Sequence, residues 1–297
     1  MKNAMSKIEG MTYGVELEYE CISKHEAVRA LEQLFGTHAR YAGTYLDAWK
    51  VPMPDGREWT VENDGSLSSG CETVSPVMKI ADMETVQNVV RALRRAGAKA
   101  RSTCGLHIHV GAGDVTERKL VNLLKMWYVE ENYIVKAFGT QASRLYNYTR
   151  PLEKTFIDRV RKDGSLTWKK LEDYYYGGRE SYSRPRTSHY CNARYNTLNL
   201  HNLFGSRHGY GWAKPTIEFR LFEATTHAGE VKANILLALS VVARAKHVTH
   251  IVCDGNKKGY DGTRALAEMG AWLDKFGWHG DNFKNARAHV LKRMIAG

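Results

Sequence analysis

Cysteine is scarce and scattered. Cys21, Cys71, Cys104, Cys191 and Cys253 are odd in number and form no C-x-x-C pair. That argues against a disulfide framework or a zinc knuckle and predicts a reducing, cytosolic setting. Long apolar runs are missing too. None approaches the ~20 residues needed to span a bilayer, and the opening M-K-N-A-M-S-K-I-E-G has no signal-peptide core. The expectation is a soluble protein without a membrane partner, kept in the compartment where it is made. Repeats, low-complexity tracts and obvious linkers are absent. Acidic charge is in deficit, with 43 Lys+Arg against 32 Asp+Glu and a net +11. A basic balance favours anionic partners, nucleotide phosphates or nucleic acid, without distinguishing them. What remains is ordinary for a globular chain, 43% hydrophobic and 25% charged over 297 residues. That is enough for a large core in one domain or two small ones.

Three stretches share a pattern. In Thr12–Glu20 (T-Y-G-V-E-L-E-Y-E), apolar Val15, Leu17 and Tyr19 alternate with Glu16, Glu18 and Glu20. Successive side chains leave a strand on opposite faces, so one face carries a row of carboxylates about 7 Å apart. In Gly105–Gly111 (G-L-H-I-H-V-G), Leu106, Ile108 and Val110 oppose His107 and His109. In Thr216–Phe222 (T-I-E-F-R-L-F), Ile217, Phe219 and Leu221 oppose Glu218 and Arg220. Glu72, in the short C-E-T-V-S strand of Cys71–Ser75, is placed to join them.

Between these strands the spacing predicts helices. Ser23 and Glu26 form a capping box opening one helix. Asp82 and Thr116 are placed to cap two more, and Glu230 to about Val252 reads as a helix apolar nearly all round. Glu58–Glu62 is a strand, the segment before Gly56 is irregular, and N-D-G at Asn63–Gly65 signals a hairpin turn with Cys71–Ser75 as the returning strand. Tyr195–Asn202 has a strand's texture. From Thr140 to Pro215 there are 14 Lys+Arg against 6 Asp+Glu, so +8 of the +11 sits there. Short helices near Glu153–Arg161 and Thr167–Tyr175 lead into an Arg/Tyr/Gly-rich loop, Tyr174–Tyr190, expected to act as a mobile lid or substrate clamp. Two amphipathic helices close the chain. The whole predicts one α+β domain over 1–297, a mostly antiparallel open sheet with helices on its apolar face. It would carry a basic insert at about 140–215 and a helical segment at about 262–297.

If the polar faces of these strands line one side of one sheet, they form a cup of carboxylates and imidazoles with one arginine. Repelling carboxylates are reconciled by divalent cations, and an oxygen-rich set suits Mg²⁺ or Mn²⁺ better than zinc. Arg220 would then meet a phosphoryl group. Taken singly, each pair has a plainer reading, such as a surface E-x-R ion pair worth ~0–1 kcal/mol.

G-V-E-L-E, G-L-H-I-H-V and T-I-E-F-R, in that order, resemble the catalytic strands of the glutamine synthetase-like carboxylate–amine ligases. The D-G-S-L…C-E-T-V-S-P segment (Asp64 to Pro76), Y-N-T-L-N-L and A-T-T-H-A-G-E resemble the amidoligase family within that superfamily, a family akin to glutamate–cysteine ligases and found in phages, bacteria and fungi. The resemblance covers roughly residues 11–245. It implies a cupped glutamine synthetase-type sheet and an ATP-dependent ligase with Mg²⁺ or Mn²⁺. Its carboxylate and amine substrates would be small molecules or peptides, or groups linked to a polyanion or nucleic acid. It implies that Glu18 and Glu72 hold one metal, that Glu16, His107 and Glu218 hold another, and that His109 and Arg220 contact the transferred phosphoryl group. Asn199 fits a polar site position and Asp64 an acidic one. The expected location is the cytoplasm, a host's if the chain is phage-encoded. Two rival readings stand beside it: a metal-dependent hydrolase with zinc on His107, His109 and Asp114, and a nucleic-acid binder using the basic aromatic segment.

Overall fold

The computed structural model describes residues 4–65, 67, 70–177 and 180–295. In chain order the elements are helix α1 (Ala4–Ile8), strand β1 (Tyr13–Tyr19), helix α2 (Lys24–Phe35), and strands β2 (Arg40–Tyr41), β3 (Trp49–Pro52), β4 (Glu58–Glu62) and β5 (Cys71–Val74). Helix α3 (Met83–Arg95), strand β6 (Gly105–Gly111) and helices α4 (Glu117–Phe138), α5 (Ala142–Asn147), α6 (Lys154–Lys162) and α7 (Trp168–Tyr176) follow. Strand β7 (Leu198–Asn199), helix α8 (His201–Arg207), strand β8 (Thr216–Glu223) and helices α9 (Ala228–His247), α10 (Ala265–Asp274) and α11 (Asp281–Ile295) complete the chain. The described strands form one open sheet in the order β2-β3-β4-β5-β1-β6-β8-β7, with antiparallel pairing along every ladder. The fold is α+β.

Alternation decides which face is covered. Val15, Leu106, Ile108, Val110, Ile217, Phe219 and Leu221 are buried, where α9 packs on β6, α4 on β8, and α2 on β3 and β4. The apolar circumference of α9 has a physical reason. The sheet, α3 and α4 lie to its inside, and α11 lies along another side, so little of it meets water. No described helix is long and apolar enough to cross a membrane.

Several local expectations are corrected. The segment before Gly56 contains β2 and β3, because Trp49 and Val51 alternate with Lys50 long enough to pair with β4. The hairpin signalled by N-D-G forms: β4 and β5 pair across residues 63–70, and Asn63 N–H is drawn to Leu46 O at 2.9 Å. Ser66 of the D-G-S-L motif lies outside the described residues. The Tyr195–Asn202 segment is strand only at Leu198–Asn199, since Asn199 Oδ1 accepts His201 N–H at 2.8 Å and turns the chain into α8. Glu20 leaves the carboxylate row, because β1 stops at Tyr19 and Glu20 accepts Thr103 Oγ1–H at 2.7 Å. The Ser23–Glu26 capping box forms. Asp82 makes no side-chain cap on α3 and is instead held by Arg57 at 2.7 Å, and Thr116 sits at the N-cap of α4 without a cap bond.

Phe219 is fully buried and meets Trp127 edge to face with ring centroids 5.2 Å apart. Phe219→Ala is expected to cost about 3–5 kcal/mol, measured as a fall in the urea midpoint at unchanged m-value.

Candidate active site

Antiparallel pairing sets side chains of opposite residues on the same face, and the register turns three isolated patterns into rows. Glu18 of β1 faces Glu72 of β5, which faces Glu62 of β4. Glu16 faces His107 of β6. His109 faces Glu218 of β8, which faces Asn199 of β7. Glu16, Glu18, Glu72, His107, His109, Asn199, Glu218 and Arg220 therefore stand on one face of five neighbouring strands, opposite the side chains buried under the helices. This face is not solvated. Glu18 is 6% exposed, Glu72 8%, Glu218 1% and Arg220 5%, which removes the reading of Glu218 and Arg220 as a surface ion pair.

The carboxylates fall into two groups. Glu18, Glu72 and Asp64 each offer a ligand atom within 4.8 Å of the others. Asp64, foreseen only as an acidic position, is thus the third member of the first group. Glu16, Glu218 and His109 make the second group, and His107 is drawn in beside Glu16 and Glu72. His107 lies between the groups, with Nδ1 3.0 Å from Glu16 Oε2 and Nε2 3.5 Å from Glu18 Oε1. His109 Nε2 is paired with Glu16 Oε1 at 2.9 Å. The oxygen-rich donor set, with its two imidazoles, fits a hard divalent cation.

Electrostatics sorts the acids by their neighbours. Burial would push Glu16 up, yet His109 and His107 hold it well below the usual carboxylate range. Burial opposes ionisation of Glu218 as well, but Arg220 and His109 bring it down to about 2. Burial raises Glu18, with His107 opposing and Asp64 adding to the rise. Glu72 is raised furthest in character, first by burial and then by repulsion from Glu16, Glu18, Asp64 and Glu62. His109 is raised: burial opposes its charge, but Glu16 and Glu218 outweigh it. Arg220 is raised in the same way by Glu218, to which its Nη1 donates. Asn199 Nδ2 holds the other Glu218 oxygen at 2.6 Å. The guanidinium also lies 5.8 Å from the Tyr195 ring and donates to Tyr148 O at 3.4 Å, so it is fixed in place before any ligand arrives.

Three residues on or beside this face were missed. Glu62 continues the Glu18–Glu72 row and was visible only as one end of the alternating E-W-T-V-E. Lys50 of β3 stands three strands away from Glu16, and it opposes the rise that burial gives Glu62. Arg144 comes from α5, in a segment with no periodic signal. It is 3% exposed, and it would block any side chain at 105, since a Cβ on Gly105 would lie 2.5 Å from its Nη2 and 2.9 Å from His107 Nε2. Gly105 N–H in turn donates to Glu18 Oε2 at 2.6 Å. The glycine of G-L-H-I-H-V is therefore a close-approach position. Asp114 does not join the imidazoles; it is exposed and pairs with Lys246 at 2.6 Å, which leaves the zinc-hydrolase arrangement without its third ligand.

The Tyr174–Tyr190 segment borders the site, although its Gly178 and Arg179 lie outside the described residues. Tyr190 meets Tyr45 hydroxyl to hydroxyl at 3.0 Å, His201 Nε2 lies 2.9 Å from Ser188 O, and Arg186 is held by Glu180 and Asp173. Much of the basic charge of 140–215 is likewise engaged locally, as in Lys170–Asp163 at 3.0 Å and Arg150 donating to Asn192 O at 2.8 Å.

The family model described as "Putative amidoligase enzyme" matches residues 9–242 of this chain. Among solved structures, the crystal structure of a bifunctional glutathione synthetase from Pasteurella multocida is similar over 98% of this chain with a TM-score of 0.51 at 11% identity. The chain spans 49% of that protein, and at this identity the likeness is one of fold. No curated protein matches the chain.

A carboxylate whose folded-state pKa is raised favours the protonated form. Its contribution to stability is present below the unfolded value of about 4.3 and is lost as pH rises through the folded value. Glu72→Gln keeps the shape of the protonated acid, so in metal-free buffer the variant should melt above the parent by a margin that is smallest at pH 5 and widens toward pH 8. Each 1 kcal/mol of relieved repulsion should appear as about 2–4 °C. Millimolar MgCl₂ should close the gap by raising the parent. Melting curves across pH, with and without Mg²⁺, check both expectations.

Proposed function

The chain belongs to the amidoligase family, and from that premise we propose that it is an ATP-dependent carboxylate–amine ligase working on a glutamine synthetase-type sheet. The observation that carries the reading is the buried row structure, which gathers carboxylates, imidazoles and one pre-oriented arginine on a single sheet face. A surface that expensive to hold in the absence of cations needs a polyanionic, metal-bearing ligand to offset it.

In this reading Glu18, Glu72 and Asp64 would hold one Mg²⁺ or Mn²⁺. Glu16, Glu218 and His109 would hold a second, with His107 bracing Glu16 and Glu18 between them. The cations, when bound, neutralise charge on the phosphate oxygens. A substrate carboxylate oxygen attacks the γ-phosphorus, ADP leaves, and an acyl phosphate results. The amine nitrogen then attacks the acyl carbon and phosphate departs. Arg220, fixed by Glu218, Tyr148 O and Tyr195, presents a permanent fork to the phosphoryl oxygens in both steps. Catalysis is thus mainly positioning and electrostatic preorganisation. None of the five cysteines is needed as a nucleophile, and the insert at about 140–215 bounds the substrate side of the site.

ATP and Mg²⁺ together should raise the melting temperature where neither alone does so fully, and Glu18→Gln should abolish that synergy while leaving the fold intact. Equal stabilisation by ATP in the presence of EDTA would sink the metal-dependent reading. Arg220→Lys keeps the charge and loses the two-pronged geometry, so phosphate release from ATP should fall by about 10²–10³ at unchanged melting temperature. Full activity of this variant would defeat its assignment.

A further inference from the structure

A second set of metal-type side chains lies away from the acidic face, on the helical side of the molecule. His227 precedes α9, Glu230 is in its first turn, and His289 projects from α11. Each offers a ligand atom within 4.8 Å of the other two, and the two imidazole centroids are 5.0 Å apart. Gly229 makes this approach feasible, because a Cβ there would stand 2.6 Å from His289 Nε2 and 3.0 Å from His227 Cε1. Beside the cluster is a cavity of about 30 Å³ lined in part by Thr225, Glu230, Asn234 and His289, above the ~10–15 Å³ needed to admit one water.

We propose that His227, Glu230 and His289 form a separate site for a zinc-class cation, with the neighbouring cavity supplying a water as fourth ligand. Two imidazole nitrogens and one carboxylate oxygen are the donor set of zinc, whereas the oxygen-rich acidic face suits harder ions. One Glu230 oxygen accepts Thr225 Oγ1–H at 2.7 Å, which orients the carboxylate as partners of metal ligands do. The other oxygen is paired with Lys292 of α11, so the ammonium competes with the cation and swings out to solvent when it binds. His227 Nδ1 accepts Glu230 N–H at 3.3 Å, a long cap bond whose loss costs little. The consequence is a clip. α11 lies beyond the residues matched by the family model, and the cation fastens it to the start of the helix that directly follows the Glu218–Arg220 strand.

The test is calorimetric titration with ZnCl₂ of the full chain carrying Glu16→Gln and Glu72→Gln, so that the acidic face competes less. One tight site is expected. His289→Ala in that background should weaken it by at least about 10-fold, and zinc should no longer raise the melting temperature. Lys292→Met should move the other way and tighten binding by about fivefold, through removal of a neighbouring positive charge. A chain with a merely structural His–Glu–Lys contact would show no such tightening. Zinc binding that is unchanged in both His289→Ala and Lys292→Met would overturn the proposal. If His289→Ala fails to fold, Lys292→Met decides alone: tighter binding supports the site, and unaltered binding removes it.

Discussion

Repulsion among like charges is the constraint around which this molecule is built. Glu16, Glu18, Glu62, Asp64 and Glu72 crowd one end of the sheet face, and Glu72 is raised by all four of the others as well as by burial. Such a surface is held together from behind. Phe219, Ile108 and Val15 on the opposite face are sealed under α4 and α9, so the strands cannot separate to relax the acids without opening the core. Apolar burial at roughly 25 cal/mol per Å² is what holds the charged face in its strained state, and the two faces are inseparable because alternate residues of the same strands make both.

The acids are also graded along the sheet. At the β8 end Arg220, Asn199 and His109 satisfy Glu218, which stays ionised down to about 2. At the β5 end burial and four neighbouring carboxylates favour the acid form of Glu72. One end of the face thus carries paired charge around Glu218, and the other carries carboxylates that repel one another.

The rows were legible in the sequence because a strand's two-residue period writes its facing directly into the chain. Glu16, Glu18, His107, His109, Glu218 and Arg220 could be assigned to one face before any partner strand was known. The pairing register was not legible. Nothing local says that Glu18 opposes Glu72 or that Glu72 opposes Glu62, since alternation fixes a residue's face but not its partner across the ladder. Arg144 was invisible for a different reason. Its helix, α5, spans six residues, too few to show a periodicity, and its guanidinium reaches Gly105 only because of how the chain packs. Asn199 was found, but its backbone role was not. The same side chain that grips Glu218 ends the strand by capping toward His201, so one residue limits β7 and completes the site.

The placement of α9 bears on where the chain can be shortened. This helix is apolar on the side facing the sheet and also where α11 crosses it, and Ser240 is satisfied by Trp278 Nε1–H at 2.9 Å from the segment leading into α11. Family likeness ends at residue 242, within the helix. A fragment cut there to isolate the ligase-like part would expose a broad oily stripe to water. It would gain the means to stick to other copies of itself. The apolar stripe of α9 is thus covered by a stretch of chain that lies beyond the family match.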